Sequence, residues 1–375
     1  MSFKTSLQPD LDRFYKSVSN SDFNIREVSK GALTQARSKL NAWAFKRLNE
    51  VAVKRFYEQA SYYVWYGMRV LAIDGSRLSL PNHHSIKEAF GVHHFGPKAD
   101  SPRSLALISL LYDVVNHLTL DAEIAPYGES EKDLLLLDLE KVEKGDLLLL
   151  DRGYPCFWLL FLLKAKGIQF CVRLKQDWWL QVQDFTKSTD QERIVKFSLA
   201  KKDPDKLGEY PHMVEKQISC RLIKVVLDNG DVEVLCTSLV DKIEYKLQAF
   251  KWLYHYRWNE EEAYKLLKSR MELEAFSGKT AKAVKQVFLM TLTAAYAHPI
   301  EEKLRAEHQA DKDRKHPQKI NKTSAVALVM DRVIPIFIKR KWKQALQAFD
   351  QMVYRTRELI RPARNKPRKK RPKKQ

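Results

Sequence analysis

Apolar positions along this chain change their period several times, and each change marks a different kind of element. Through residue 66, apolar and aromatic residues recur every three to four positions, as in Leu33, Ala36, Leu40, Trp43, Phe45, Leu48 and Val51, which predicts amphipathic helices. From Met68 the texture shortens to apolar runs that end in polar residues, RVLAID, SLALISLLYDVV and HLTLDAEI, and these read as strands. GDLLLLDRGY carries an unbroken leucine run, the pattern of a strand buried on both faces. PCFWLLFLLKAKG then reads as a helix with proline at its start and glycine at its stop, and IQFCVRL as the next strand. Residues 67–175 therefore predict a strand meander, a helical connection and a parallel β-α-β unit.

Between 176 and 243, QISCRLIKVVL and VEVLCTSL flank Asp228, Asn229, Gly230 and Asp231, a sequence suited to the positive φ angles of a tight hairpin. That region is expected to be β-rich. From 244 the helical period returns and continues to about residue 350, with Pro335 placed to break the last helix. Residues 361–375 hold nine Lys/Arg, three Pro and no acid, so a disordered, polyanion-seeking tail is expected. No internal repeat is visible.

Composition narrows the partner. The 375 residues are 45% hydrophobic, enough for two or three cores, and carry a net charge of +20, which favours nucleic acid or an anionic membrane surface. The longest apolar run, Cys156 to Leu163, is eight residues, well short of the ~20 that span a bilayer. The N-terminus lacks the charged-then-apolar layout of a secretory signal, so a cytoplasmic, nucleoid-associated protein without a membrane partner is expected. Cys156, Cys171, Cys220 and Cys236 form no C-x-x-C pair and read as buried packing residues.

Candidate chemistry begins with Asp74 and Asp151. Each is read as closing an apolar strand, and each is followed within two residues by glycine. Acids often end strands at the water boundary, so either alone says little. In YHYRWNEEEAYKLLK, however, Tyr254, Arg257, Glu261 and Lys268 fall within one stripe about 60° wide at ~100° per residue, whereas Glu260 and Glu262 project away from it. A surface helix laced with ion pairs would show the same spacing. Near the N-terminus, Ile25 to Val28, a turn at Ser29 to Gly31 and a helix carrying Thr34, Gln35, Arg37, Ser38 and Lys39 suit a helix-turn-helix reader of DNA. His83, His84, His93 and His94 read as surface residues rather than metal ligands, and Trp178 and Trp179 as packing residues.

The string Y-x(2)-R-x(3)-E-x(6)-K from Tyr254 to Lys268, preceded by AIDGSRLSLP and LLLLDRGY and followed by ELEAFSGKT, resembles the signature of the insertion-sequence-four family of DDE transposases. The resemblance covers roughly residues 68–300. It implies a ribonuclease H-like catalytic core in which Asp74, Asp151 and Glu261 are the triad, with the strands of the two aspartates adjacent. It also implies a β-rich insertion between the second Asp and the Glu, which are 110 residues apart. Three carboxylates can hold two Mg²⁺ ions, with Mn²⁺ as a substitute, for in-line displacement at a phosphodiester. Tyr254, Arg257 and Lys268 would face DNA, and Trp258 is either a ring that holds a flipped base or a core tryptophan.

The expectation is thus an α/β protein: a helical DNA-binding domain (1–66) containing Arg37 and Lys39, a ribonuclease H-like core (67–175 and 244–300) interrupted by the β-rich insertion (176–243), and a helical C-terminal region with a basic tail (301–375). Its implied activity is cut-and-paste transposition: hydrolysis at the terminal inverted repeats, a hairpin intermediate, then strand transfer into target DNA by a homodimer, with no small-molecule cofactor. The alternatives are a ribonuclease H-like nuclease without strand transfer and a catalytically silent DNA-binding derivative.

Overall fold

The computed structural model describes residues 7–19, 26–94, 102–199, 215–227, 230–270, 273–274, 276, 278–290, 316, 318–321, 324 and 342–360. The chain forms two compact units. One comprises Thr5–Lys30 with Ala294–Gln375 and contains helix α1 (Leu7–Ser19), helix α11 (Trp342–Arg355) and a two-residue ladder between Gln318–Lys319 and Glu358–Leu359. The other is built by Gly31–Thr293 and holds the sheet.

That sheet has eight strands: β1 (Val70–Ser79), β2 (Leu105–Asp113), β3 (Leu118–Pro126), β4 (Leu147–Leu150), β5 (Gln169–Leu174), β6 (Glu192–Ser198), β7 (Gln217–Val226) and β8 (Val232–Thr237). Their order is β3-β2-β1-β4-β5-β8-β7-β6. β1, β2 and β3 form the antiparallel meander read from the apolar runs, and β4 and β5 join parallel to β1. β8 pairs antiparallel with β5, so β6 to β8 extend the same sheet. The hairpin between β7 and β8 is present, with Gly230 at φ +88°, while Asp228 and Asn229 lie outside the described residues.

Strand alternation sends the two faces into separate cores. Leu71 and Ile73 join Leu148, Leu150 and the helices α5 (Glu131–Asp138) and α6 (Phe157–Ala165), while Val70, Ala72, Leu147 and Leu149 pack on α8 (Leu247–His255). All four leucines of β4 are completely buried, as the unbroken run requires; each contributes roughly 2 kcal/mol of apolar burial. α6 stops where expected, with Gly167 at φ +70° just beyond it. A third core under β1 and β2 gathers Leu78, Ala106, Ile108 and Leu110 with α4 (His84–Phe90) and α10 (Ala281–Met290).

Two expectations for the N-terminal helices are corrected. α2 (Lys30–Lys39) and α3 (Trp43–Gln59) are helices, but residues 26–29 are not, and Gly31 lies inside α2 rather than in a turn. Ile25 falls outside the described residues. The physical reason is Gln8: its side chain donates to the Val28 carbonyl (2.9 Å) and accepts from the Lys30 N–H (2.7 Å), holding this stretch as a lead-in to α2. The helix-turn-helix reading therefore fails. On α3, Trp43, Leu48 and Val51 of the apolar stripe are exposed, and the buried positions are Asn49 and Phe56. The helix docks on β3 through polar groups, with Asn49 Nδ2 donating to the carbonyls of Thr119 and Leu120. Pro335 and residues 361–375 lie outside the described residues, and no described helix is long and apolar enough to cross a membrane.

Candidate active site

β4 ends at Leu150, opposite Ile73, whereas β1 runs on to Ser79 paired on its other side with β2. Asp74 and Asp151 are the first residues beyond the shared parallel ladder. Their strands are neighbours, and the two carboxylates leave the sheet at the same level. Asp74 is thus inside β1 rather than at its end, because β2 keeps pairing through Ser79; the strand end that matters belongs to β4.

The helical stripe is also rebuilt. α8 stops at His255, Tyr256 and Arg257 form a turn, α9 (Trp258–Lys265) starts afresh, and Leu266–Arg270 is a π-helical turn. No single straight helix carries the four residues. The joint nevertheless brings Arg257 between two carboxylates: its Nη2 lies 2.9 Å from Glu261 Oε1 and its Nη1 3.9 Å from Asp74 Oδ2. Tyr254 is buried, and its hydroxyl donates to the Leu150 carbonyl at 3.4 Å, so it supports the end of β4. Beyond the π turn, Lys268 reaches further along β1, donating to Ser76 Oγ at 2.6 Å and to the Arg77 carbonyl. Trp258 is 48% exposed beneath the Arg257 guanidinium, which excludes the core reading of that residue.

Three supporting residues were not singled out from the sequence. Arg173 on β5 places Nη2 2.9 Å from Asp151 Oδ1 and pairs with Glu233 on β8; nothing in strand periodicity distinguishes it. The Tyr264 hydroxyl donates to the Asp74 carbonyl at 2.6 Å. Glu260, read from the wheel as pointing away, is fully buried beside Asp74. Burial, with Asp74 adding to it, pushes Glu260 well above the usual carboxylate range.

Electrostatics at Asp74 bear on a metal. Burial pushes its carboxyl up to about 6, with Glu131 and Asp151 adding to the shift and the Gly75 N–H and Arg257 opposing it. Burial lowers Arg257, but Tyr254, Asp151, Glu261 and Asp74 raise it further, so it stays charged. Asp74 on β1, Asp151 after β4 and Glu261 on α9 offer oxygen donors of the kind that hard divalent cations prefer. The residues present fit a divalent cation.

A second acidic group, Asp121, Glu123 and Asp138, has carboxylate oxygens within 4.8 Å of one another. Lys46 already supplies its cation, 3.2 Å from Asp121 Oδ2 and paired with Glu123. Asp138, pushed up to about 8 chiefly by burial, accepts from Ser109 Oγ at 2.7 Å. This group fastens α3 to β3. Arg37 and Lys39 lie on α2, where the Arg37 carbonyl accepts from Gln286 on α10 at 2.9 Å. His83 caps α4, and the histidines enter no metal-like group among the described residues. Trp179 stacks on Phe157 with ring centroids 4.2 Å apart, as packing residues do. Cys171, Cys220 and Cys236 are buried and free, and Cys156 is partly exposed.

Comparison with known proteins gives four findings. The profile of the family described as the transposase DDE domain matches residues 65–297, a span that includes Asp74, Asp151 and Glu261. The chain is 25% identical over 248 residues to the transposase InsG for insertion sequence element IS4 of Escherichia coli strain K12, covering 65% of this chain and 54% of that one. It is also 25% identical over 162 residues to the putative transposase InsZ of the same strain, covering 42% of this chain and 53% of that one. The matches thus span about half the length of these relatives. Among solved structures, a piggyBac transposase synaptic complex with hairpin DNA aligns at a TM-score of 0.40 and 10% identity, covering 95% of this chain and 77% of that one.

Proposed function

This chain belongs to the DDE transposases, in the insertion-sequence-four family, and from that premise we propose that it cuts and joins DNA with Asp74, Asp151 and Glu261 as its catalytic triad. The observation that carries the reading is the end of the β1/β4 ladder, where Asp74 and Asp151 emerge side by side and Arg257 reaches from Asp74 to Glu261. In this reading, β3-β2-β1-β4-β5 with the helices on its two faces is the ribonuclease H-like core, and β6 to β8 are the insertion.

Asp74, Asp151 and Glu261 hold the divalent ions. When bound, two Mg²⁺, or Mn²⁺ in their place, would supply positive charge to the attacking and the leaving oxygen. Arg173 holds Asp151 in place from behind, and the Tyr264 hydroxyl fixes the backbone at Asp74. Arg257 balances the carboxylates and keeps a guanidinium close to the scissile phosphate; Lys268, beside Ser76, meets the strand next to it. Trp258, exposed next to Arg257, offers a face on which an unstacked base can rest, as a hairpin intermediate requires. Arg37, Lys39 and the basic 361–375 segment contact phosphates of the terminal inverted repeats and the target, and two copies of the chain synapse two ends.

The test is cleavage of DNA bearing the two ends that flank the gene, in Mg²⁺ or Mn²⁺, by wild type, Asp151→Ala and Glu261→Gln. Metal-dependent nicking at the ends by wild type, lost in both variants while DNA binding persists, is the expected result. Nicks that are never joined to a target indicate a nuclease. Tight binding without any cutting by wild type overturns the reading in favour of a silent DNA-binding protein.

A further inference from the structure

We propose that Glu131, in the first turn of α5, is a fourth carboxylate of the metal site, reaching the divalent cation across Gly75 from the face of β1 opposite Asp74. The inference rests on the triad reading above and adds a ligand that the signature does not contain.

Successive residues of a strand point to opposite faces, so Asp74 faces α8 and α9 while Gly75 faces α5. A Cβ on Gly75 would lie 2.6 Å from Glu131 Oε1, 2.7 Å from its Cδ and 2.8 Å from its Cγ. The Glu131 carboxylate therefore rests directly on the backbone next to Asp74, and only glycine leaves that room. Close approach is what requires the glycine, since its φ lies outside the left-handed region.

The two faces of the sheet meet at this level because β4 has ended. Past Leu150 no strand among the described residues fills the β4 side of Gly75–Ser79, and a cavity of about 750 Å³ is lined there by Gly75, Ser76, Glu131, Gly153 and Lys268 among others. Gly153 follows Asp151 by two residues, Gly75 follows Asp74 and Lys268 follows α9, so the cavity that Glu131 lines adjoins the segments of the triad, although Asp74, Asp151 and Glu261 do not themselves line it. Its charge already acts on Asp74, whose carboxyl it helps to raise.

The competing account is that Glu131 merely complements the N-terminus of α5. Asp133 supplies a negative charge in the same turn, and Ser130 caps the helix by accepting from the Lys132 N–H. Neither role needs a carboxylate folded over Gly75.

The experiment uses the full chain and Mn²⁺ alone as the probe, reading bound and free ion by electron paramagnetic resonance, with circular dichroism to confirm folding. Asp151→Ala should abolish tight binding. Glu131→Gln should weaken it roughly tenfold or more, or remove one of two bound ions. Gly75→Ala should do the same with no change of charge, because its methyl displaces Glu131; Asp133→Asn should bind as wild type does. If Glu131→Gln and Gly75→Ala bind like wild type while Asp151→Ala does not, the fourth ligand is overturned and the triad stands. Equal weakening by Asp133→Asn and Glu131→Gln also overturns it, assigning the effect to helix charge. If wild type binds no Mn²⁺, both readings fall, and should Gly75→Ala not fold, Glu131→Gln decides.

Discussion

Arg257 shows how much one buried side chain can be asked to hold. Its side chain is 5% exposed, and it sits within ion-pair reach of Glu261 and Asp74. Removing one partner of such a group leaves uncompensated charge, which costs about 3–5 kcal/mol. Arg257→Met should therefore be destabilised by roughly that amount at pH 7 in urea unfolding. The loss should shrink at pH 5. Asp74 has its folded pKa raised to about 6 from 3.8, so the folded state binds more protons than the unfolded chain between those values, and its contribution to stability falls as pH rises through that window. At pH 5 Asp74 is mostly neutral and asks less of Arg257; an equal loss at both pH values would show that the two are not coupled. The i,i+4 spacing of Arg257 and Glu261 survives the helix joint as an ion pair. The sequence missed Glu260, since three consecutive glutamates differ only in which one the fold turns inward.

At the scale of elements, the buried group of Asp121, Glu123, Asp138 and Lys46 fastens α3 and α5 to β2 and β3. Asp138 is completely buried and raised to about 8, so the folded state holds its proton where the unfolded chain has lost it. Stability should fall as pH rises from about 4 to about 8, and Asp138→Asn should flatten that slope. At pH 9 the variant should exceed wild type by up to roughly 5 kcal/mol, and at pH 4 the two should match. Parallel pH series of urea melts check this, and identical slopes would count against it. Element existence was legible wherever the pattern was long: the β1 to β3 meander, the leucine strand and α6 all stand where periodicity put them. The kink between α8 and α9 and the π turn were not, because a wheel drawn at constant pitch assumes the regularity it is used to test. Asn49 and Lys46 on the buried side of α3 were hidden for a related reason, since their partners are carbonyls and carboxylates on β3.

Over the whole molecule, the charge of +20 sets the salt dependence expected of the proposed DNA binding. Each phosphate neutralised contributes a slope of about −0.9 in log K against log salt, so affinity for end DNA should drop steeply with salt. Deleting residues 361–375, which carry nine Lys/Arg, should make that slope shallower by several units and leave the position of cleavage unchanged. Fluorescence anisotropy at several salt concentrations measures the first and sequencing gels the second; an unaltered slope would free the segment from any role in binding.

Sequence alone determined the types of the long periodic elements, the buried leucine strand, the i,i+4 pair of Arg257 with Glu261 and the family, because period, turn chemistry and a spaced signature are properties of neighbours along the chain. Tertiary structure decided that β8 docks on β5 and merges β6 to β8 into one sheet. It also decided that β4 ends one residue before Asp151 and opens a gap beside β1, that Arg173 and Tyr264 support the aspartates, and that Glu131 lies over Gly75. Those facts join residues far apart in the chain, and strand register and close approach exist only once the backbone has folded.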